Sequence, residues 1–175
     1  MTATAVVEIL VVGVQAELWL AILACSFVPD GPRTGIRILQ MLKEWAPLGT
    51  VTALAVAYAL GVVIDRWADS LFPRAPSERL ALMRLTVMHK SEGIAKFLEY
   101  QRSRLRIARG TVFNIAMGTA SVVIFLVMRE QSGWVPWAID VGVAAVFLAL
   151  YAADRINEAF EKRLRDAYDM ILADG

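Results

Sequence analysis

Hydrophobic residues are concentrated in four long stretches of the chain, separated by segments that carry most of the charge. The stretches cover residues 5–28, 47–65, 111–128 and 134–153. A helix needs roughly 20 residues to cross the hydrocarbon core of a bilayer, and each stretch has or approaches that length. The pattern therefore predicts an all-α integral membrane protein with four transmembrane helices.

Composition and charge orient these spans. Of the 175 residues, 58% are hydrophobic, whereas soluble domains average about 45–50% apolar residues. Residues 74–109 hold nine Lys or Arg against three Glu, and basic segments beside spans stay on the cytoplasmic side. We therefore predict a multi-pass protein of the cell membrane with both termini in the cytoplasm. Its parts are a hairpin of the first two spans (1–66, with an outer loop at 29–46), a basic cytoplasmic segment (67–110), a second hairpin (111–153) and a cytoplasmic amphipathic helix (154–175).

The cytoplasmic parts are expected to be helical extensions of the last two spans. Ser77 can cap a first helix, which is interrupted at residues 91–93. No proline lies between residues 94 and 128, so one helix can run through both the basic segment and the third span. The C-terminal segment has apolar residues at helical spacing, at Phe160, Leu164, Ala167 and Ile171. They are candidates for an oligomer or partner contact, either as a coiled coil with another copy or by packing against the 77–109 segment.

Small residues recur every fourth position in two spans. They are Ala53, Ala57 and Gly61 in the second span and Ala145, Ala149 and Ala153 in the fourth. Such spacing lets helix backbones approach closely in a bilayer, so these faces are predicted to pack against other helices.

Polar residues inside the spans are the candidates for chemistry. At 100° per residue, Glu8, Gln15, Trp19 and Ser26 share one face of the first span, and Glu17 points to the opposite side. The candidate ion pathway consists of six of these polar residues, with two from later spans: Glu8, Gln15, Glu17, Ser26, Asn114 in the third span and Asp140 in the fourth. Ionised groups at bilayer depth are costly and are often functional. No Lys or Arg lies inside the predicted spans, so the acids are expected to lack a basic partner within the chain.

Each of these residues also has a structural interpretation. Glu8 and Asp140 can lie at headgroup level, and Glu17 can be a hydrogen-bonded contact between helices. Residues that set topology or contact lipid headgroups are predicted at Arg102, Arg104, Arg106, Arg109, Trp134 and Trp137.

Other functions are disfavoured by what the sequence lacks. It has no nucleophile-elbow, zinc-protease, Walker or dinucleotide-binding motif, so no catalytic residue is expected. One Cys and one His offer no basis for a metal site or a cofactor, and the basic segment has too few aromatic residues to indicate nucleic-acid binding. Two hypotheses remain. The favoured one is a homo-oligomeric channel for cations or protons in the lipid bilayer. The alternative is a non-conducting scaffold, anchor or sensor that docks a cytoplasmic protein.

Overall fold

The structure is a computed structural model that describes residues 3–28, 30–44, 46–72, 78–90 and 92–173. The described residues are almost entirely helical and contain no strand. The helices are α1 (Ala3–Phe27), α2 (Gly31–Glu44), α3 (Ala46–Leu71), α4 (Glu78–Lys90), α5 (Glu92–Met128) and α6 (Val135–Ala173), with a 3₁₀ turn at Ser132–Trp134 before α6.

Four helical segments are long and apolar enough to cross a membrane, which indicates a multi-pass membrane protein. They are Ala5–Phe27, Ala46–Leu71, Ser103–Met128 and Ser132–Ile171. The four predicted spans are thus confirmed as candidates. The helix that contains the predicted third span also continues before residue 111, through apolar residues such as Leu105 and Ile107.

Both long helices predicted from the sequence are present. α5 continues without interruption for 37 residues, about 55 Å at 1.5 Å per residue, and α6 has 39 residues. α4 packs against the C-terminal half of α6, where Met83 and Val87 of α4 form one buried cluster with Leu164 and Ala167. The C-terminal amphipathic helix therefore lies against the 77–109 segment, as one of the two hypotheses predicted.

The spans form a three-helix bundle with a fourth helix at its side. α1 packs against both α3 and α5, and α3 also contacts α5. Within the described residues, α6 contacts α5, α4 and the preceding 3₁₀ turn but neither α1 nor α3. Much of the surface of α6 therefore faces away from the protomer, including Phe147 and Leu148, which are 67% and 70% exposed.

Glycine permits the closest helix contacts. A Cβ on Gly13 of α1 would overlap the Ala57 carbonyl of α3, and one on Gly61 would overlap the Ile9 carbonyl. The small-residue face of α3 is thus confirmed at Ala57 and Gly61, whereas Ala53 is exposed. On α6, Gly142 lies against Thr119 of α5, Ala153 is buried, and Ala145 and Ala149 are half-buried.

The segment between α1 and α3 contains a helix that the sequence analysis had treated as a loop. Positions 33, 37, 40 and 44 are polar at helical spacing, and Gly31 and Pro32 provide a helix start. α2 contacts both α1 and α3. Gly31 is required at this junction, because a Cβ there would overlap the Cys25 carbonyl at the end of α1.

Candidate functional site

The centre of the bundle contains a hydrogen-bonded group of polar side chains between α1 and α5. The indole N–H of Trp19 donates to Asn114 Oδ1 at 3.0 Å. Asn114 Nδ2 in turn donates to the Val12 carbonyl at 2.9 Å and to Gln15 Oε1 at 3.2 Å. Thr111 donates to the same Gln15 oxygen at 3.2 Å. Since Trp19 and Asn114 are both buried, these bonds join the two helices away from the protein surface.

A second group of polar side chains lies near the N-terminal end of α1 and the C-terminal end of α3. This group contains charged residues. Glu8 is buried, 5% exposed, and its Oε1 accepts a hydrogen bond from Ser103 of α5. Arg106 Nη1 lies 4.0 Å from Glu8 Oε2, and Arg106 Nε lies 3.8 Å from Asp65 Oδ1. Arg106 therefore connects α5 to α1 and α3 at once. We call Glu8, Asp65, Ser103 and Arg106 the ionic cluster.

One oxygen of the ionic cluster lacks a hydrogen-bond partner, whereas the neighbouring Arg109 is paired. Arg109, one turn after Arg106, forms its own ion pair with Asp69 of α3 at 2.8 Å. Glu8 Oε2 is buried and makes no hydrogen bond to any described residue, so only the distant Arg106 compensates it. Removing one partner from a buried ion pair leaves an uncompensated charge and is strongly destabilising. Arg106 is therefore expected to hold the three helices together.

The opposite end of the bundle is closed by Arg129, the residue after α5. Its Nη2 donates to the carbonyls of Cys25 at 2.9 Å and Val28 at 2.7 Å. The Cys25 carbonyl belongs to the last turn of α1 and Val28 directly follows the helix, so the partial negative charge of the helix end favours a cation here. The chain then reverses through Glu130, which has a left-handed backbone (φ 58°) and ends α5 in a Schellman motif, with Gln131 N–H bonded to the Leu126 carbonyl.

These contacts decide where the polar stripe of the first span lies. Glu8, Gln15 and Trp19 face α5 within the protomer, and Asn114 joins them from α5. Ser26 is buried as well, but it donates to the Ile22 carbonyl of its own helix at 3.0 Å. Of the six residues assigned to an ion pathway, Glu8, Gln15 and Asn114 are thus in contact across the α1–α5 interface, and Ser26 is bonded within α1.

Glu17 and Asp140 are not part of this interface. Asp140 is exposed on α6. Glu17 is half-buried and follows Gly13 by one turn, which places it at the edge of the α1 face that packs on α3. Neither acid has a hydrogen bond or ion pair to a described residue.

The expectation that the membrane acids lack a basic partner in the chain was wrong for Glu8. It failed because Arg106, five residues before the predicted span 111–128 and on the same continuous helix, lies beside Glu8. Asp65 and Asp69, which pair with Arg106 and Arg109, were not predicted from the sequence as partners. Their spacing of four residues, matched by the spacing of three between the two arginines, was the signal that could have revealed the pairing.

The remaining assigned residues divide between the two ends of the protein. Phe160, Leu164, Ala167 and Ile171 are used within the protomer, against α4, so this face is already covered in a single chain. Arg104 is exposed, whereas Arg106 and Arg109 form the ion pairs described above. The side chain of Arg102 lies outside the described part of the structure. Trp134 and Trp137 are 65% and 67% exposed near the start of α6, a placement typical of an interfacial aromatic belt.

No protein-family model matches this chain, and neither a curated protein nor a solved structure shows significant similarity to it. Among the described residues, no group of three or more His, Cys, Asp or Glu is arranged to hold a metal ion.

Proposed function

We propose that this chain is a non-conducting membrane subunit that anchors a soluble protein at the cytoplasmic face. The observation that carries this proposal is the use of the α1 polar stripe inside the protomer. Gln15, Trp19 and Asn114 bond to one another, and Glu8 bonds to Ser103 and lies beside Arg106. Polar side chains that face a neighbouring helix in this way act as contacts between spans.

A water-filled path would need these groups to face water. In the protomer they are instead enclosed by apolar residues, since Val12, Ala16, Trp19 and Ile64 form one buried cluster around the α1 interfaces. The channel was favoured because no basic residue lies inside the predicted spans to pair with their acids. The burial of the stripe and the ion pair of Glu8 with Arg106 therefore favour the alternative hypothesis.

The cytoplasmic helices offer a surface for the docked protein. Leu82 and Leu85 of α4 lie three residues apart and are 65% and 66% exposed. They point away from the Met83 and Val87 side that packs on α6, and α4 belongs to no candidate span. Two large apolar residues on one exposed helix face support a protein contact better than single scattered ones do.

A cation channel shared between copies of the chain is the second candidate. It is favoured by Glu17 and Asp140, two acids within the predicted spans 5–28 and 134–153 that have no bonded partner among the described residues and are at least partly accessible. In this alternative, symmetry-related protomers would place these carboxylates around a common axis.

Ion flux through reconstituted protein separates the two candidates. The purified chain is placed in liposomes, and K⁺ and H⁺ movement is followed with a membrane potential applied. The anchor hypothesis predicts flux no greater than in empty liposomes. Flux that rises with protein content and changes in Glu17→Gln, but not in the control Glu130→Gln at the exposed end of α5, would establish the channel and refute our proposal.

The docking surface is tested separately by a Leu82→Gln/Leu85→Gln variant. Because both side chains are exposed, thermal stability of the purified protein is expected to stay unchanged. The complex extracted from native membranes in mild detergent is expected to shrink to the size of the purified chain. An unchanged complex size would show that this face binds no partner.

A further inference from the structure

A pocket lies on α5 in the space between the end of α3 and α6, which do not contact each other. Its volume is about 220 Å³. Leu71 and Phe72 bound it from the α3 side, Leu150 and Ala153 bound it from α6, and Arg109 and its neighbours on α5 form the floor. The pocket is smaller than the roughly 300 Å³ at which pockets for whole small molecules begin, so it fits only part of a larger molecule.

One polar group in this pocket is incompletely bonded. Arg109 Nη1 pairs with Asp69 Oδ1 at 2.8 Å, but its Nε is buried and has no hydrogen-bond partner among the described residues. A guanidinium carries five N–H donors in a planar fork that matches the oxygens of a phosphate. The Arg109 side chain is 24% exposed and lines the pocket, so its guanidinium offers a charged donor group beside an apolar wall, which suits a ligand with an acceptor and an apolar portion.

The position of the pocket identifies that ligand. Arg109 lies within the candidate span Ser103–Met128, near its arginine-rich end, where a lipid headgroup would meet the hydrocarbon. We propose that the pocket binds the phosphate and glycerol end of a membrane phospholipid. Arg109 holds the phosphate, and the upper part of one acyl chain lies against Leu105, Val112 and Leu150. The rest of the lipid remains in the bilayer, so the small volume suffices.

The test measures lipid binding to the full chain after delipidation in mild detergent. Dioctanoyl-phosphatidylglycerol is titrated while the unfolding temperature is followed, and bound lipid is counted by native mass spectrometry. We expect saturable binding of one lipid at this site. Arg109→Gln should weaken it about tenfold or more, since a hydrogen bond to a charged group is lost, whereas Arg104→Gln, an exposed arginine on the same helix, should change it less than about twofold.

A further variant separates phosphate binding from the ion pair. Asp69→Asn removes the partner carboxylate but keeps Arg109, so it should bind the lipid as well as the wild type or better. The proposal is overturned if Asp69→Asn weakens binding as much as Arg109→Gln, or if Arg104→Gln does. It is also overturned if inorganic phosphate protects the protein equally, which would indicate a simple anion site, or if dioctanoyl-glycerol binds as tightly, which would indicate an apolar groove without phosphate recognition.

Discussion

Replacing Asn114 by Leu is the sharpest perturbation of the α1–α5 interface. The two side chains are similar in size, and Leu suits an apolar bundle, so the change removes hydrogen bonds while it keeps the volume. Asn114 accepts one bond from Trp19 and donates one each to Val12 and Gln15. Gln15 retains its bond from Thr111, but the buried Trp19 N–H is left without an acceptor.

The expected loss of stability follows from these three bonds. Hydrogen bonds between membrane helices average about 0.6 kcal/mol each, which gives about 1 kcal/mol for the two bonds that Asn114 donates. The unpaired Trp19 N–H adds the cost of leaving a buried donor unsatisfied, about 1–3 kcal/mol. We therefore expect Asn114→Leu to lower the free energy of unfolding by about 2–4 kcal/mol.

The assay is equilibrium unfolding in mixed micelles, with helix content followed by circular dichroism. Asn157→Leu is the matched control, because Asn157 bonds only to Glu161 of its own helix in the described structure and should cost less than about 0.5 kcal/mol. In the Asn114→Leu background, Trp19→Phe should cost about 1 kcal/mol less than it does in the wild type. Equal stability of Asn114→Leu and wild type, or strict additivity with Trp19→Phe, would refute the reasoning.

Other predictions concern packing. Gly13→Ala should destabilise the bundle by at least about 2 kcal/mol, because the added Cβ would overlap the Ala57 carbonyl. Gly93→Ala is the control, because a Cβ there meets nothing within 4 Å, and it should be neutral or slightly stabilising in the same unfolding assay. Leu164→Ala should lower the free energy of unfolding by about 2–5 kcal/mol, because Leu164 is 1% exposed in the cluster between α4 and α6. It should also increase hydrogen exchange in α4. Leu82→Ala, at a residue that is 65% exposed, should change neither the stability nor the exchange. Equal effects within either pair would contradict the packing described.

The helices were largely predictable because bilayer length and helical periodicity act locally. Four apolar stretches, the uninterrupted path through 94–128 and the apolar spacing at Leu164 each predicted an element or a face that is present. α2 was not predicted, because Gly31, Pro32 and Gly35 are typical of a loop and outweigh the helical recurrence of its polar positions.

The interface partners were harder to predict. A helical wheel gave the correct grouping of Glu8, Gln15 and Trp19, but relative angles along one helix do not say whether that face meets water or another helix. The answer depended on Asn114, which is 99 residues from Gln15 in sequence, and on Arg106. Such long-range pairings arise from the packing of α5 on α1, which no local pattern encodes.

The central claim is that the polar stripe of α1 is a dry contact between helices. It is tested most directly by hydrogen exchange of the indole N–H groups, observed by NMR on ¹⁵N-tryptophan-labelled protein, with Trp19→Phe assigning the signal. Trp134 and Trp137, which are 65% and 67% exposed, provide the fast-exchanging reference. Our account predicts that the Trp19 N–H exchanges far more slowly than either; exchange as fast as that of Trp134 and Trp137 would show that water reaches the stripe and would contradict the account.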